Sequence, residues 1–91
     1  MATAYTGHFR CVILSARQLI FEGEVNSVFV SGDAGEYELL AYHYPLIGIV
    51  AGDLIVNWEK RVPVKGGVVK FFANECNIMI EEKESAVPAQ A

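Results

Sequence analysis

Basic side chains are few in this sequence and are spread along it. Seven Lys and Arg stand against eleven Asp and Glu, giving a net charge of -4. Phosphate binding needs clustered Lys and Arg, and Lys60-Arg61 is the only adjacent pair. Nucleic acid is therefore not the expected partner. Long hydrophobic runs are also missing. The longest, Pro45 to Ala51, contains Gly48 and is soon followed by Asp53, well short of the ~20 apolar residues that span a bilayer. The opening residues, Met1-Ala2-Thr3-Ala4-Tyr5, lack the basic-then-apolar layout of a signal peptide. A soluble, cytoplasmic domain is the resulting expectation. Cysteine is scarce as well. Cys11 and Cys76 are too far apart for a redox or zinc motif and read as buried free thiols that behave as small hydrophobes. A disulfide between them requires that their strands be neighbours.

What is present is an apolar chain with strand periodicity. Ninety-one residues make one small domain, 53% hydrophobic and 20% charged. Such a domain buries only roughly 60–65% of its unfolded surface, so an apolar composition is required of it. Phe9, Cys11 and Ile13 alternate with Arg10, Val12 and Leu14. Leu54, Val56 and Trp58 alternate with Ile55, Asn57 and Glu59, and Cys76, Ile78 and Ile80 with Asn77, Met79 and Glu81. Period-two patterning rich in β-branched and aromatic residues predicts half-buried strands. Val25 to Ser31 is more continuously apolar and is expected to be buried on both sides. Turn signals at Gly23, Gly32 to Gly35, Gly52-Asp53, Gly66-Gly67 and Asn74-Glu75 divide these runs, as in a sandwich or flattened barrel. Tyr44 to Val50 is the only stretch that could form a helical turn. The domain is expected to occupy residues 1–82. Residues 83–91, charged and then small with Pro88, read as a disordered tail.

No catalytic, cofactor-binding or metal-binding set is evident. Glu36 and Glu38 share one strand face, but acid–base carboxylate pairs are normally set across a cleft, so these read as solvated strand residues, and a hydrolase is remote. His8 and Cys11, three apart, face opposite sides of a strand and do not jointly ligate a metal. His43 has no Ser, Cys or Asp at a nucleophile spacing and reads as a hydrogen-bonding group in a loop or at a partner surface. Gly32-Asp33-Ala34-Gly35 lacks the Lys-Ser/Thr ending of a phosphate-binding loop, and Gly66-Gly67 precedes a strand rather than a helix. Tyr42 and Tyr44 beside a His are suited to an interface. Trp58 continues the Leu54, Val56 face and is expected in the core.

The order and spacing of these pieces resemble the N-terminal domain of the epsilon subunit of F-type ATP synthases. The resemblance runs from about Phe9 to Ile80. It comprises a short apolar strand, the segment Leu19-Ile20-Phe21-Glu22-Gly23-Glu24-Val25, and a Gly-x-x-Gly-Glu-aromatic turn at Gly32 to Tyr37. His-x-Pro-Leu at His43 to Leu46 follows, then Gly52, Gly66-Gly67 and Asn74-x-x-x-Ile78-x-Ile80. It implies a two-sheet β-sandwich of about ten short strands and a non-catalytic place in the rotor. The implied task is to link the gamma subunit to the c-ring and couple proton or sodium flow to ATP synthesis. The resemblance implies that Glu36 faces the c-ring loops and that His43 lies near gamma; with Tyr42 and Tyr44, read above as interface residues, these are the expected partner-binding residues. Membrane association would come only through the complex, at the cytoplasmic face of the cell inner membrane. Glu38, Ala41, Tyr42 and Tyr44 depart from the family's usual Gly, Pro and small residues. Typical members continue into a C-terminal helical hairpin; the resemblance here is to a short form without it. The alternative reading of the residues is a stand-alone sandwich that binds a glycan or peptide.

Overall fold

Alternation of β-branched and aromatic residues produces strands along nearly the whole chain. The computed structural model describes residues 7–83. Its elements are β1 (Phe9–Ser15), β2 (Leu19–Val25), β3 (Ser27–Gly32), β4 (Gly35–Leu40), β5 (Leu46–Val56), β6 (Lys60–Val62), β7 (Val64–Phe72) and β8 (Glu75–Glu82). They form one hydrogen-bonded sheet in the order β2-β1-β8-β7-β5-β3-β4, with β6 pairing β5 off that path. All pairings are antiparallel except β1 with β8.

The sheet wraps around a single hydrophobic core. Phe9, Cys11 and Ile13 of β1 and Cys76, Ile78 and Ile80 of β8 point into it, together with Val69 and Phe71 of β7. Val28, Val30 and Leu39 arrive from β3 and β4 on the other half, and Val50, Leu54 and Val56 from β5. The long β5 joins the two halves. Its first half pairs with β7 and its second half with β3 and β6. Phe9 and Phe71 meet edge-on inside, their rings 5.2 Å apart, an arrangement that adds quadrupolar attraction to the area buried.

Several expectations are corrected. The described residues hold eight strands rather than about ten, because three glycine signals lie within strands. Gly52-Asp53 falls where the β3–β5 register shifts, and Gly66 where the β7–β8 register shifts. Glycine marks bulges in strands as well as turns. Gly23 sits in mid-strand opposite Cys11. Tyr44 to Val50 does not form a helical turn: β5 begins at Leu46 and pairs at once with Phe71, as β-branched Ile47, Ile49 and Val50 favour. In β3 only Val28 and Val30 are fully buried; Phe29 is partly covered by Trp58. The expected tail, beyond Lys83, lies outside the described residues. Cys11 and Cys76 are buried free thiols, yet their strands are direct neighbours.

Candidate partner-binding surfaces

The segment between β4 and β5 is shaped by backbone constraints. The His43 N–H donates to the Leu40 carbonyl at 3.2 Å, closing a turn. Tyr42 is held in the left-handed region at φ 64, which is uncommon for a bulky residue. Asn74 holds it there. The Tyr42 N–H donates to Asn74 Oδ1 at 2.6 Å, and Asn74 Nδ2 donates to the His8 carbonyl at 3.0 Å. One amide side chain thus ties the segment both to the β7–β8 turn and to the approach to β1.

Tyr42 and Tyr44 are both 74% exposed. His43 is half-buried between them. Its ring lies 4.5 Å from that of Tyr44 and meets Phe71 of the core edge-on at 5.6 Å. Its Nδ1 is 2.7 Å from the Tyr44 carbonyl. A carbonyl only accepts, so Nδ1 carries a proton and donates it here. The imidazole is therefore a fixed post with two exposed phenols beside it.

Glu36 is exposed near the opposite end of β4, next to the Asp33-Ala34 turn. Four strand steps at about 3.3 Å each set it roughly 13 Å from Leu40 at the other end of β4, and Tyr42 lies in the turn beyond. The four expected contact residues therefore form two places, not one. Glu38 has a structural role in this fold: it accepts the Trp58 indole N–H at 2.7 Å. Trp58 is not in the core. It is 57% exposed and packs against Phe29 with the rings tilted by 44° and their centroids 5.0 Å apart. Asn57 and Trp58 both have positive φ, 54 and 56, and Glu59 N–H donates to the Val56 carbonyl. Residues 57–59 thus link Val56 to its ladder partner Lys60 through a turn with the positive φ values of the primed kind, and this ends the alternation that would have sent Trp58 inward.

The largest feature missed by sequence reasoning is an apolar stripe on the outer face. Ile49 of β5 pairs with Val68 of β7, Val68 with Met79 of β8, Met79 with Leu14 of β1, and Leu14 with Leu19 of β2. Adjacent strands are about 4.8 Å apart, so these five side chains run roughly 19 Å across five strands. Four are exposed large hydrophobics, Met79 at 56% among them, and Ile47 nearby is 74% exposed. A signal was present. Leu14, Val68 and Met79 alternate with core residues where a one-sided sheet would carry polar ones, although Arg10, Lys70, Asn77 and Glu81 occupy other outward positions of the same strands.

Among the described residues, no three His, Cys, Asp or Glu side chains gather into a metal-binding group. The ionic contacts among the described residues lie at the surface, with the Asp53 side chain the most covered of them. Arg10 pairs with Glu22, Lys65 with Glu81, and Arg61 and Lys83 both with Asp53.

Residues 8–86 match the family described as the ATP synthase delta/epsilon chain β-sandwich domain. The chain belongs to this family. It is 30% identical over 79 residues to the ATP synthase epsilon chain of Bartonella quintana (strain Toulouse), covering 82% of this chain and 57% of that one. It is 33% identical over 66 residues to the epsilon chain of Psychrobacter sp. (strain PRwf-1), covering 67% and 48%. The chain thus spans about half the length of these curated relatives. A chain of the Tetrahymena thermophila mitochondrial ATP synthase central stalk/c-ring superposes with a TM-score of 0.68 at 13% identity, covering 80% of this chain and 63% of the other. A chain of the Euglena gracilis mitochondrial ATP synthase OSCP/F1/c-ring structure gives 0.73 at 18% identity, covering 88% and 54%. At such identities the superpositions carry the fold: the epsilon-type sandwich, its single sheet folded around one core.

Proposed function

We propose that this epsilon-type domain is a non-catalytic subunit of the central stalk of a proton- or sodium-translocating F-type ATP synthase. In this reading it links the gamma subunit to the c-ring, so that ion flow is coupled to ATP synthesis. It resides at the cytoplasmic face of the inner membrane and is held there by the complex. Family membership supports the setting. The observation that carries the role is the outer apolar stripe Ile49–Val68–Met79–Leu14–Leu19. Soluble monomers rarely leave such a contiguous patch in water, and patches of this kind mark protein–protein contact. Glu36 and the Tyr42-His43-Tyr44 cluster add two further contacts, the first suited to polar c-ring loops and the second to gamma. Their separation along β4 fits a domain that bridges two partners.

The test is reconstitution with the cognate gamma subunit and with the detergent-solubilised c-ring. Val68→Lys with Met79→Lys should weaken capture of the stalk by at least about tenfold, as loss of a buried interface centre does, while the circular dichroism spectrum stays unchanged. Alanine at Tyr42, His43 and Tyr44 should reduce gamma capture, and Glu36→Lys should reduce c-ring capture. Unaltered capture by all of these variants would sink the proposal.

A further inference from the structure

The core contains one pair of groups that neither the fold nor the proposed docking requires to be chemically special. Cys11 and Cys76 are the only cysteines of the chain, and the β1–β8 register sets them directly opposite each other. Both are fully buried, at 0% exposure. Adjacent strands stand about 4.8 Å apart, within the 4.4–6.8 Å Cα separation that a disulfide spans. Both side chains turn to the same, inner face, since both belong to the core cluster. The ladder that holds them is the sheet's only parallel one, a pairing slightly weaker per residue than antiparallel ladders.

We propose that Cys11 and Cys76 are a latent disulfide site, closed by a small-molecule disulfide whenever the β1–β8 seam opens, which then staples the first strand to the last. In the closed domain the reaction is blocked. No reagent reaches either sulfur, and the thiolate that must attack is suppressed: the Cys76 pKa is pushed well above the usual thiol range by its hydrogen bond to Cys11 and by burial. Opening the seam removes both barriers. One cysteine thiolate attacks a sulfur of oxidised glutathione, forming a mixed disulfide and releasing one glutathione thiolate. The second cysteine thiolate then attacks the protein sulfur of that mixed disulfide and displaces the second glutathione thiolate. Two S–H bonds are lost from the protein, one S–S bond is gained, and the two protons end on two molecules of reduced glutathione. A lasting mixed disulfide is disfavoured, because a glutathionyl group has no room between strands packed at this spacing.

The experiment uses the full chain with oxidised glutathione at mildly alkaline pH, across urea concentrations below the unfolding midpoint. Free thiols are quenched by alkylation and intact masses measured. The expected product is monomeric protein lighter by two hydrogens and carrying no alkyl group, formed faster as urea rises. Its melting temperature should exceed that of the reduced form by at least about 5 °C, since bridging residues so distant in sequence restricts the unfolded chain strongly. A stable glutathione adduct or a disulfide-linked dimer as the end product would overturn the proposal. So would a bridged product that melts no higher than the reduced one, or a closure rate that ignores urea. The Cys76→Ala chain, left with Cys11 alone, serves as a control and should accumulate glutathione adduct only as urea opens it; an adduct formed as readily without urea would equally count against the assignment.

Discussion

The indole N–H of Trp58 donates to a carboxylate oxygen of Glu38 across 2.7 Å, fastening the β5–β6 turn to the outer side of β4. Trp58 is the chain's only tryptophan, so its fluorescence reports this turn alone. Its 57% exposure predicts red-shifted emission and ready quenching by acrylamide in the native state. Glu38→Ala should increase quenching further and cost no more than about 1–1.5 kcal/mol, the usual worth of one such hydrogen bond. A blue, quencher-resistant emission would place the ring in the core and refute the turn geometry.

Neighbouring residues of β8 should respond very differently to truncation. Ile78 is 2% exposed, while Met79 beside it is 56% exposed. Ile78→Ala should destabilise by about 2–5 kcal/mol through lost burial and a residual cavity. Met79→Ala should stay within about 0.5 kcal/mol, as surface changes do. Urea midpoints of the two variants measure the contrast. Equal losses would mean that both faces of the sheet are covered in the isolated domain.

Three glycines separate the two reasons for having one. At Gly67 a Cβ would lie 2.4 Å from the Met79 carbonyl oxygen; Gly67→Ala should therefore force β7 from β8 and cost about 1–3 kcal/mol or more. Gly35 faces open space but has φ 140, so Gly35→Ala should cost about 1–3 kcal/mol from backbone strain alone. Gly23 has neither constraint, with only the Phe21 ring at 3.7 Å; Gly23→Ala should be neutral or slightly stabilising. Thermal melts of the three would show whether this ordering holds.

Acid should weaken the fold through two carboxylates. Asp53 accepts the Val64 N–H at 3.1 Å. This bond, with Lys83 and Arg61 nearby, holds its pKa below the ordinary 3.8. Glu82 accepts the Ser15 hydroxyl at 2.6 Å and the Gln18 amide at 3.2 Å. Those bonds hold it below the ordinary 4.5. A group whose folded pKa is depressed contributes stability above its unfolded pKa and loses it as pH falls through the folded one. Stability should thus be level above pH 4.5 with respect to these groups, begin to decline below 4.5 as Glu82 protonates, and fall more steeply below 3.8 as Asp53 joins it. In Asp53→Asn combined with Ser15→Ala the decline should be shallower. A double variant with the wild-type acid profile would assign the acid sensitivity elsewhere.

Much of this fold could be read from the sequence, because period two acts locally. The inward sets Phe9-Cys11-Ile13 and Cys76-Ile78-Ile80 are as the alternation predicts. What failed were signals whose meaning depends on distant chain. A glycine breaks a strand or bulges it according to what lies alongside, and only the β3–β5 and β7–β8 registers decide this for Gly52 and Gly66. Trp58 was misplaced because its turn uses Asn-Trp where primed turns prefer Asn-Gly. The aromatic and acidic residues of 36–44 stood out by their chemistry. The stripe did not, because its five members come from five strands and become a surface only once the strands are in register.

The parallel pairing of β1 with β8 also has a mechanical consequence. Phe9 begins β1 near Glu75 and Ser15 ends it beside Ile80, so the chain enters the fold at one end of this ladder and leaves at the other. A force that pulls those two ends apart runs along the strands, loading all the rungs between β1 and β8 together instead of opening them one by one. In the proposed rotor role, joining β1 and β8 in shear lets the domain carry load along its strands.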